Sequence, residues 1–264
     1  MTSAGRILCT AFLLGVCLGG VSASAYATST GQSPCTGTQC ESHGDRYRNL
    51  GGSDNGTRAY IAGSGSATGT GQAIYAYVAV QDAVGPSEDS PPGTGTAGMV
   101  IMGELSRDIQ TSDACGFGGP PEAFFFYRVH GQQIGQCPYH PAISPFGSGG
   151  LFDVVYQNGA WQAKQNGNTV ATASGLGFTS GWSVAGDEAF AGQGPSCTGT
   201  GPSEAITFGP SGRNAWQFTT NNGSTYSTIQ TSAVDQNTDS DCDGDGDWNL
   251  GGTPSPFNIN WTGF

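Results

Sequence analysis

The chain has 264 residues, 45 of them Gly and 14 Pro, which excludes a helical bundle because each Gly inside a helix costs about 1 kcal/mol against Ala. Apolar residues reach 36% and no Gly-X-Y period occurs, so neither a collagen nor a linker polymer fits. Eight basic against twenty acidic residues give a net charge of −12; with a single lysine, Lys164, and no glycine loop before it, nucleic acid, anionic membrane and phosphate-loop chemistry are excluded as expectations.

Residues 1–25 read as a secretory signal. Arg6 is the only positive charge in the first 45 residues, Ile7 to Val21 is apolar, and Ala23-Ser24-Ala25 and Ala25-Tyr26-Ala27 fit small-x-small cleavage. The expected product is secreted, free of the membrane, and carries −13 once the +1 of Arg6 is removed from −12. Six cysteines stay with it: Cys35, Cys40, Cys115, Cys137, Cys197 and Cys242. An even number in an exported chain reads as three disulfides, and proximity favours Cys35–Cys40, Cys115–Cys137 and Cys197–Cys242. A zinc site lacks a C-x-x-C pair and any ligand spacing among His43, His130 and His140.

Residues 26–57 are rich in Gly, Ser, Thr and Gln and read as a leader or pro-segment, which leaves 58–264 as the folded domain. Strands follow in order. Ile74, Ala76, Val78 and Val80 alternate with Tyr75 and Tyr77. Residues 98–109 and 122–130 are the next two strands. Asn158-Gly159 and Asn166-Gly167 divide 151–174 into a three-stranded meander, because Asn-Gly supplies the two positive-φ residues of a type I′ turn. Asn222-Gly223 closes another hairpin, and 257–261 alternates once more. No twelve-residue window has a helical period. Ten to twelve short strands predict an all-β, antiparallel two-sheet sandwich of jelly-roll type.

The densest motif is acidic. Asp239, Asp241, Asp243, Asp245 and Asp247 alternate around Gly244, with Asp235 just before them. Six carboxylates in thirteen residues repel one another unless a cation gathers them, and Ca²⁺ takes its ligands from oxygen. The expectation is a structural Ca²⁺ loop and no organic cofactor. The loop is similar to those of thrombospondin type 3 repeats, over about ten residues; it departs from an EF-hand, with Leu250 where the bidentate Glu belongs.

Three glutamates fall within predicted strands. Glu104 shares a face with Val100 and Met102, Glu122 with Phe124, Phe126 and Arg128, and Glu188 with Trp182, Val184 and Gly186. A carboxylate set among aromatics on a strand is partly desolvated, which suits general acid–base work. Glu188 and Glu104 are the candidate catalytic pair; their bland alternative is cross-strand pairing with Arg107, Arg128 or Arg213. Serine-triad and zinc-protease signatures are absent from the sequence.

The succession AIYAYVAVQD, MVIMGEL, AFFFYRV, the meander, GWSVAGDEAF, SEAITFG and FNINW resembles the eqolisin and neprosin group of glutamic peptidases over roughly 70–264. The resemblance implies a double-sheet sandwich with a Gln or Glu on an early strand and a Glu on a later one. Glu188 takes the later place. The early place, two before the glycine of MVIMGEL, holds Ile101, and the nearest acid is Glu104, on the opposite strand face. The implied activity is a secreted endopeptidase acting in acid on extracellular polypeptide. Two other readings use the same scaffold: a calcium-stabilised module binding glycan or wall polymer on Tyr75, Tyr77, Trp161 and Trp182, and a glycan-cleaving enzyme using the same carboxylates.

Overall fold

The computed structural model describes residues 41–66, 72–83, 95–102, 123–132, 136–139, 149–191, 203–210, 212–237 and 256–261. They form β1 (Glu41–Arg48), β2 (Gly56–Ser66), β3 (Gln72–Gln81), β4 (Thr96–Met102), β5 (Ala123–Arg128), β6 (Gln136–Tyr139), β7 (Gly150–Gln157) and β8 (Ala160–Gln165). After these come β9 (Asn168–Ala173), β10 (Trp182–Ala191), β11 (Ser203–Phe208), β12 (Gln217–Thr219), β13 (Ser227–Thr228), β14 (Ser232–Asn237) and β15 (Phe257–Trp261). Among the described residues there is no helix.

Two antiparallel sheets result. One runs β14-β1-β10-β3-β4-β5-β6. The other runs β13-β12-β2-β7-β8-β9, with β11 beside the second half of β2 and β15 beyond it. The expected two-sheet sandwich is the observed architecture. Its turns follow from the sequence: Asn158 and Gly159, Asn166 and Gly167, and Asn222 and Gly223 all have positive φ. Asn tolerates this region better than other side-chain-bearing residues, and Gly adopts it freely.

The core lies between the sheets. Ala76, Val78, Val80, Ala97, Phe125 and Ala185 of the seven-stranded sheet meet Ala59, Ile61, Phe152, Val154, Trp161 and Ala163 of the other. At one end Phe208 and Phe257 stack with centroids 4.5 Å apart, and Trp216 meets Phe257 edge-on at 5.5 Å. The buried indoles keep their hydrogen bonds. Trp161 Nε1 donates to the Phe178 carbonyl at 3.0 Å, and Trp216 Nε1 to Thr57 Oγ1 at 3.0 Å. Without such partners each N–H would carry a desolvation cost of about 1–3 kcal/mol.

Two expectations are corrected. The segment 26–57 is not a leader throughout: β1 lies inside the seven-stranded sheet, between β14 and β10, and Asp54 is fully buried. The polar composition misled because this strand carries charge on both faces, with Arg46 buried and Asp45 on the opposite side. Trp161 and Tyr77 are not exposed platforms, since they are 1% and 7% exposed. The predicted strand 98–109 is described as β4 up to Met102, and its remainder lies outside the described residues. So do residues 1–40, Glu104, Glu122, Asp239, Asp241, Asp243, Asp245 and Asp247, and five of the six cysteines of the exported chain; Cys137 is described only as backbone of β6.

The passage from β1 to β2 carries the chain from one sheet to the other, and Asp54 clamps it. Arg48 Nε donates to Asp54 Oδ2 at 2.8 Å, and a second guanidinium nitrogen bonds Oδ1. The Ser183 amide donates to Oδ2 at 3.2 Å, while the backbones of Asp54 and Gly181 exchange hydrogen bonds of 2.9 and 2.8 Å. Arg48 also stacks 3.9 Å over the Phe218 ring. Replacing Asp54 with Ala strands a guanidinium among apolar groups, so D54A is expected to lose about 3–5 kcal/mol of unfolding free energy, read from urea denaturation.

Candidate functional site

The strand register divides polar groups between the two faces of the seven-stranded sheet. Ala185 of β10 and Val78 of β3 belong to the core face. Residues of the other parity, Val184, Gly186 and Glu188 on β10, occupy the outer face, as do Asp45 on β1 and Tyr77 on β3. One cross-strand row reads Asp235, Asp45, Gly186, Tyr77, Val100. The next reads Asn237, His43, Glu188, Tyr75, Met102.

Gly186 is what makes the first row a site. Asp45 and Tyr77 sit on strands separated by β10, yet the Tyr77 hydroxyl donates to Asp45 Oδ1 at 2.5 Å. They meet above Gly186, where an added Cβ would fall 1.8 Å from Asp45 Oδ1 and 3.0 Å from Tyr77 Cζ. Any side chain there would break the bridge. Phe126 of β5 supports Tyr77 edge-on, with centroids 6.4 Å apart. A Tyr–carboxylate bond thus spans the strand two residues before Glu188.

The core face of the same two strands is also charged. Arg46 and Asp187 are both buried and stand diagonally across β1 and β10. Arg46 Nη1 donates to Ser232 Oγ at 3.2 Å and its guanidinium lies 5.2 Å from the Phe257 centroid. Burial lowers its pKa from the ordinary arginine value.

Of the predicted catalytic pair, the register places Glu188 on the outer face, beside the Asp45–Tyr77 bridge. Met102, the last described residue of β4, lies in the Glu188 row. Ile101, the position the resemblance assigns to the early catalytic residue, has the parity of Ala97 and belongs to the core face. Asp45 and Tyr77 escaped sequence reasoning because nothing in the chain announces that strands so distant in sequence flank one glycine. The one available signal is Gly186 itself, a residue without a side chain inside an alternating strand. His130 pairs with Asp82 just past the ends of β5 and β3. Asp82 Oδ1 also accepts the Gly95 amide at 2.8 Å.

A second polar row crosses the outer face of the other sheet: Gln217, Arg58, Asp153, Lys164. The Tyr226 hydroxyl donates to Asp153, 2.8 and 2.9 Å from its two oxygens. Arg58 lies 3.7 Å over the Tyr226 ring and donates to Gln217 Oε1 at 2.8 Å. Burial pushes the Asp153 carboxyl up from 3.8 to about 6, against the opposing pull of Tyr226, Lys164 and Arg58. Burial, and then the Asp153 charge and hydrogen bond, push the Tyr226 phenol up as well.

Solved structures with a similar arrangement include scytalidoglutamic peptidase with a transition-state analogue inhibitor, at 12% identity and TM-score 0.45, covering 87% of this chain and 99% of that one. SCP-B of the eqolisin family, in complex with the tripeptide Ala-Ile-His, gives 10% identity and TM-score 0.43 with the same coverages, 87% and 99%. Bacillus licheniformis β-glucanase gives 12% and 0.37, covering 69% of this chain and 77% of that one. No family model and no curated protein matches the chain.

The Asp153 row sets a pH dependence. Its folded pKa is above the unfolded one, so the folded state binds more protons between about 4 and 6. The cost of its burial is absent below that window and complete above it, so its contribution falls as pH rises. At about 1.4 kcal/mol per pH unit the full cost is on the order of 2–3 kcal/mol. D153N is therefore expected to raise the urea midpoint at pH 7.5 and leave it nearly unchanged at pH 3.5.

Proposed function

We propose that the chain is a secreted hydrolase that cuts peptide bonds in mild acid, with Glu188 as general base. The observation that carries this reading is the register that sets Glu188 on the outer face of the seven-stranded sheet, one row from the Asp45–Tyr77 bridge over Gly186. In that register the Glu188 position lies between a tyrosine position on β3 and a histidine position on β1.

In the proposed reaction the ionised Glu188 takes a proton from water as the water oxygen bonds to the scissile carbonyl carbon. The carbonyl π pair moves to oxygen. Protonated Glu104 hydrogen-bonds that oxyanion. The tetrahedral adduct then collapses, the C–N bond breaks, and Glu188 returns its proton to the leaving amine. Neither carboxyl is consumed. The single lysine and the acidic composition leave a surface that loses negative charge in mild acid. Export by the signal at 1–25 and Ca²⁺ held by the 239–247 loop belong to the same proposal.

The mature chain is expected to cleave denatured casein at pH 3–5, and E188Q to lose about 10²–10⁴-fold in rate. Full activity in E188Q would end this assignment. Cleavage of a β-glucan with casein untouched would replace peptide with glycan as the substrate. Calorimetric titration of metal-stripped protein is expected to show Ca²⁺ binding that D241N with D243N abolishes.

A further inference from the structure

We infer that the outer face of the second, eight-stranded sheet binds an acidic polysaccharide, a chain of uronic-acid type, through Arg58, Arg213 and Lys164. Three features of that face lead to it.

First, the face gathers cations in a chain that has only eight of them against twenty acids. Arg58 and Lys164 stand in one row, on either side of Asp153. Arg213 lies over the ring of Tyr60, 4.9 Å from its centroid, and Tyr60 follows Arg58 by two residues on the same face of β2. Second, the guanidinium groups are held without being used up. Arg58 Nε donates to Gln217 Oε1 at 2.8 Å, and its Cζ lies 3.7 Å from the Tyr226 centroid. The terminal nitrogens of Arg58 and the whole guanidinium of Arg213 have no hydrogen-bond partner among the described residues. Asp153 does not take them, since the Tyr226 hydroxyl meets both its oxygens. A guanidinium already fixed in place loses little freedom on binding, and its fork matches a carboxylate. Third, the neutral groups beside these cations are amides and hydroxyls. Gln217 and exposed Thr169 flank the Arg58 row, and Gln162 and exposed Thr172 stand in the next one. Such groups bond the hydroxyls of a sugar chain; a run of Asp and Glu offers none.

Asp153 makes the binding depend on protons. It lies between Arg58 and Lys164, so its charge opposes a ligand carboxylate. The groups that face it are Arg58 of β2, Lys164 of β8 and Tyr226 of the turn between β12 and β13, with Tyr60 of β2 one row along. Burial pushes its carboxyl up to about 6, so it is neutral in mild acid, where a uronate, ionised above about 4, keeps its charge. Affinity is therefore highest between about 4 and 6 and falls as Asp153 ionises.

Calorimetric titration of the full mature chain with oligogalacturonate tests this. Binding is expected at pH 5, weaker by about fivefold at pH 7.5 and weakened further by salt. A neutral glucan oligomer is expected to give no heat. R58Q and R213Q are each expected to lower the affinity about tenfold, the scale of a hydrogen bond to a charged group. D153N is expected to bind equally well at both pH values. No binding by the unaltered chain, or unchanged affinity in the R58Q/R213Q double variant, would overturn the inference. Poly-glutamate bound as tightly as oligogalacturonate would overturn it too, since the face would then read charge alone. Should R58Q fail to fold, R213Q decides: Arg213 is exposed on a turn, so a tenfold loss there supports the site and unchanged affinity overturns it.

Discussion

The register of β1 against β10 depends on one buried carboxylate. Asp54 holds the end of β1 through Arg48 and the start of β10 through the Ser183 amide, and its own backbone pairs with Gly181. A slip of one residue would exchange the two faces of β1, turning Asp45 into the core and Arg46 out of it. It would also part Asp45 from Gly186, the one place on that stretch of β10 where two side chains can meet across the strand. The candidate site is thus fixed from its far end, by a charge that has left water altogether. Such an ion pair gives little net stability, because desolvation offsets most of its attraction. Its use here is to make wrong registers costly.

Each sheet places most of its polar chemistry on the outer face and fills the interior mainly with aliphatic and aromatic side chains. Thr57, Gln165 and Ser183 are neutral exceptions of core parity, and Arg46 and Asp187, diagonal neighbours within the β1–β10 pair, are charged ones. The strands that carry the candidate site are therefore also the ones with buried charge beneath it. Charges on both faces hold this pair at one register, which a site spread over several strands requires. On the other sheet, Asp153 shows the same economy in a different form, since Tyr226, Arg58 and Lys164 surround it and partly offset its burial.

Much of the architecture was legible in the sequence. Alternation located β3, β10 and β15, and the Asn-Gly pairs located the meander of β7, β8 and β9, because those signals are local. β1 was not legible, since a strand charged on both faces shows no alternation of apolar and polar residues. The pairing of β10 with both β1 and β3 was also hidden: their separation in sequence is large and no short turn joins them. Glu188 could be selected as a strand glutamate sharing a face with Trp182, Val184 and Gly186, but its neighbours on other strands could not be named. Trp161 was misjudged as a surface aromatic because strand parity, without a known core face, leaves inside and outside interchangeable.

The choice between a binding module and an enzyme turns on what the outer face offers. A glycan platform needs flat aromatic rings in water, and here Trp161 and Tyr77 are almost wholly covered, while Trp182 packs against Gly51 and Gly52. What the face does present is a carboxylate, Asp45, engaged by a phenol across a glycine gap. Proton transfer requires a base and a neighbour that differ in which of them holds the proton at the working pH, and a carboxylate fixed by one hydroxyl is the kind of group from which such a difference is built. The bridge over Gly186 sets it where the backbone leaves room for nothing else.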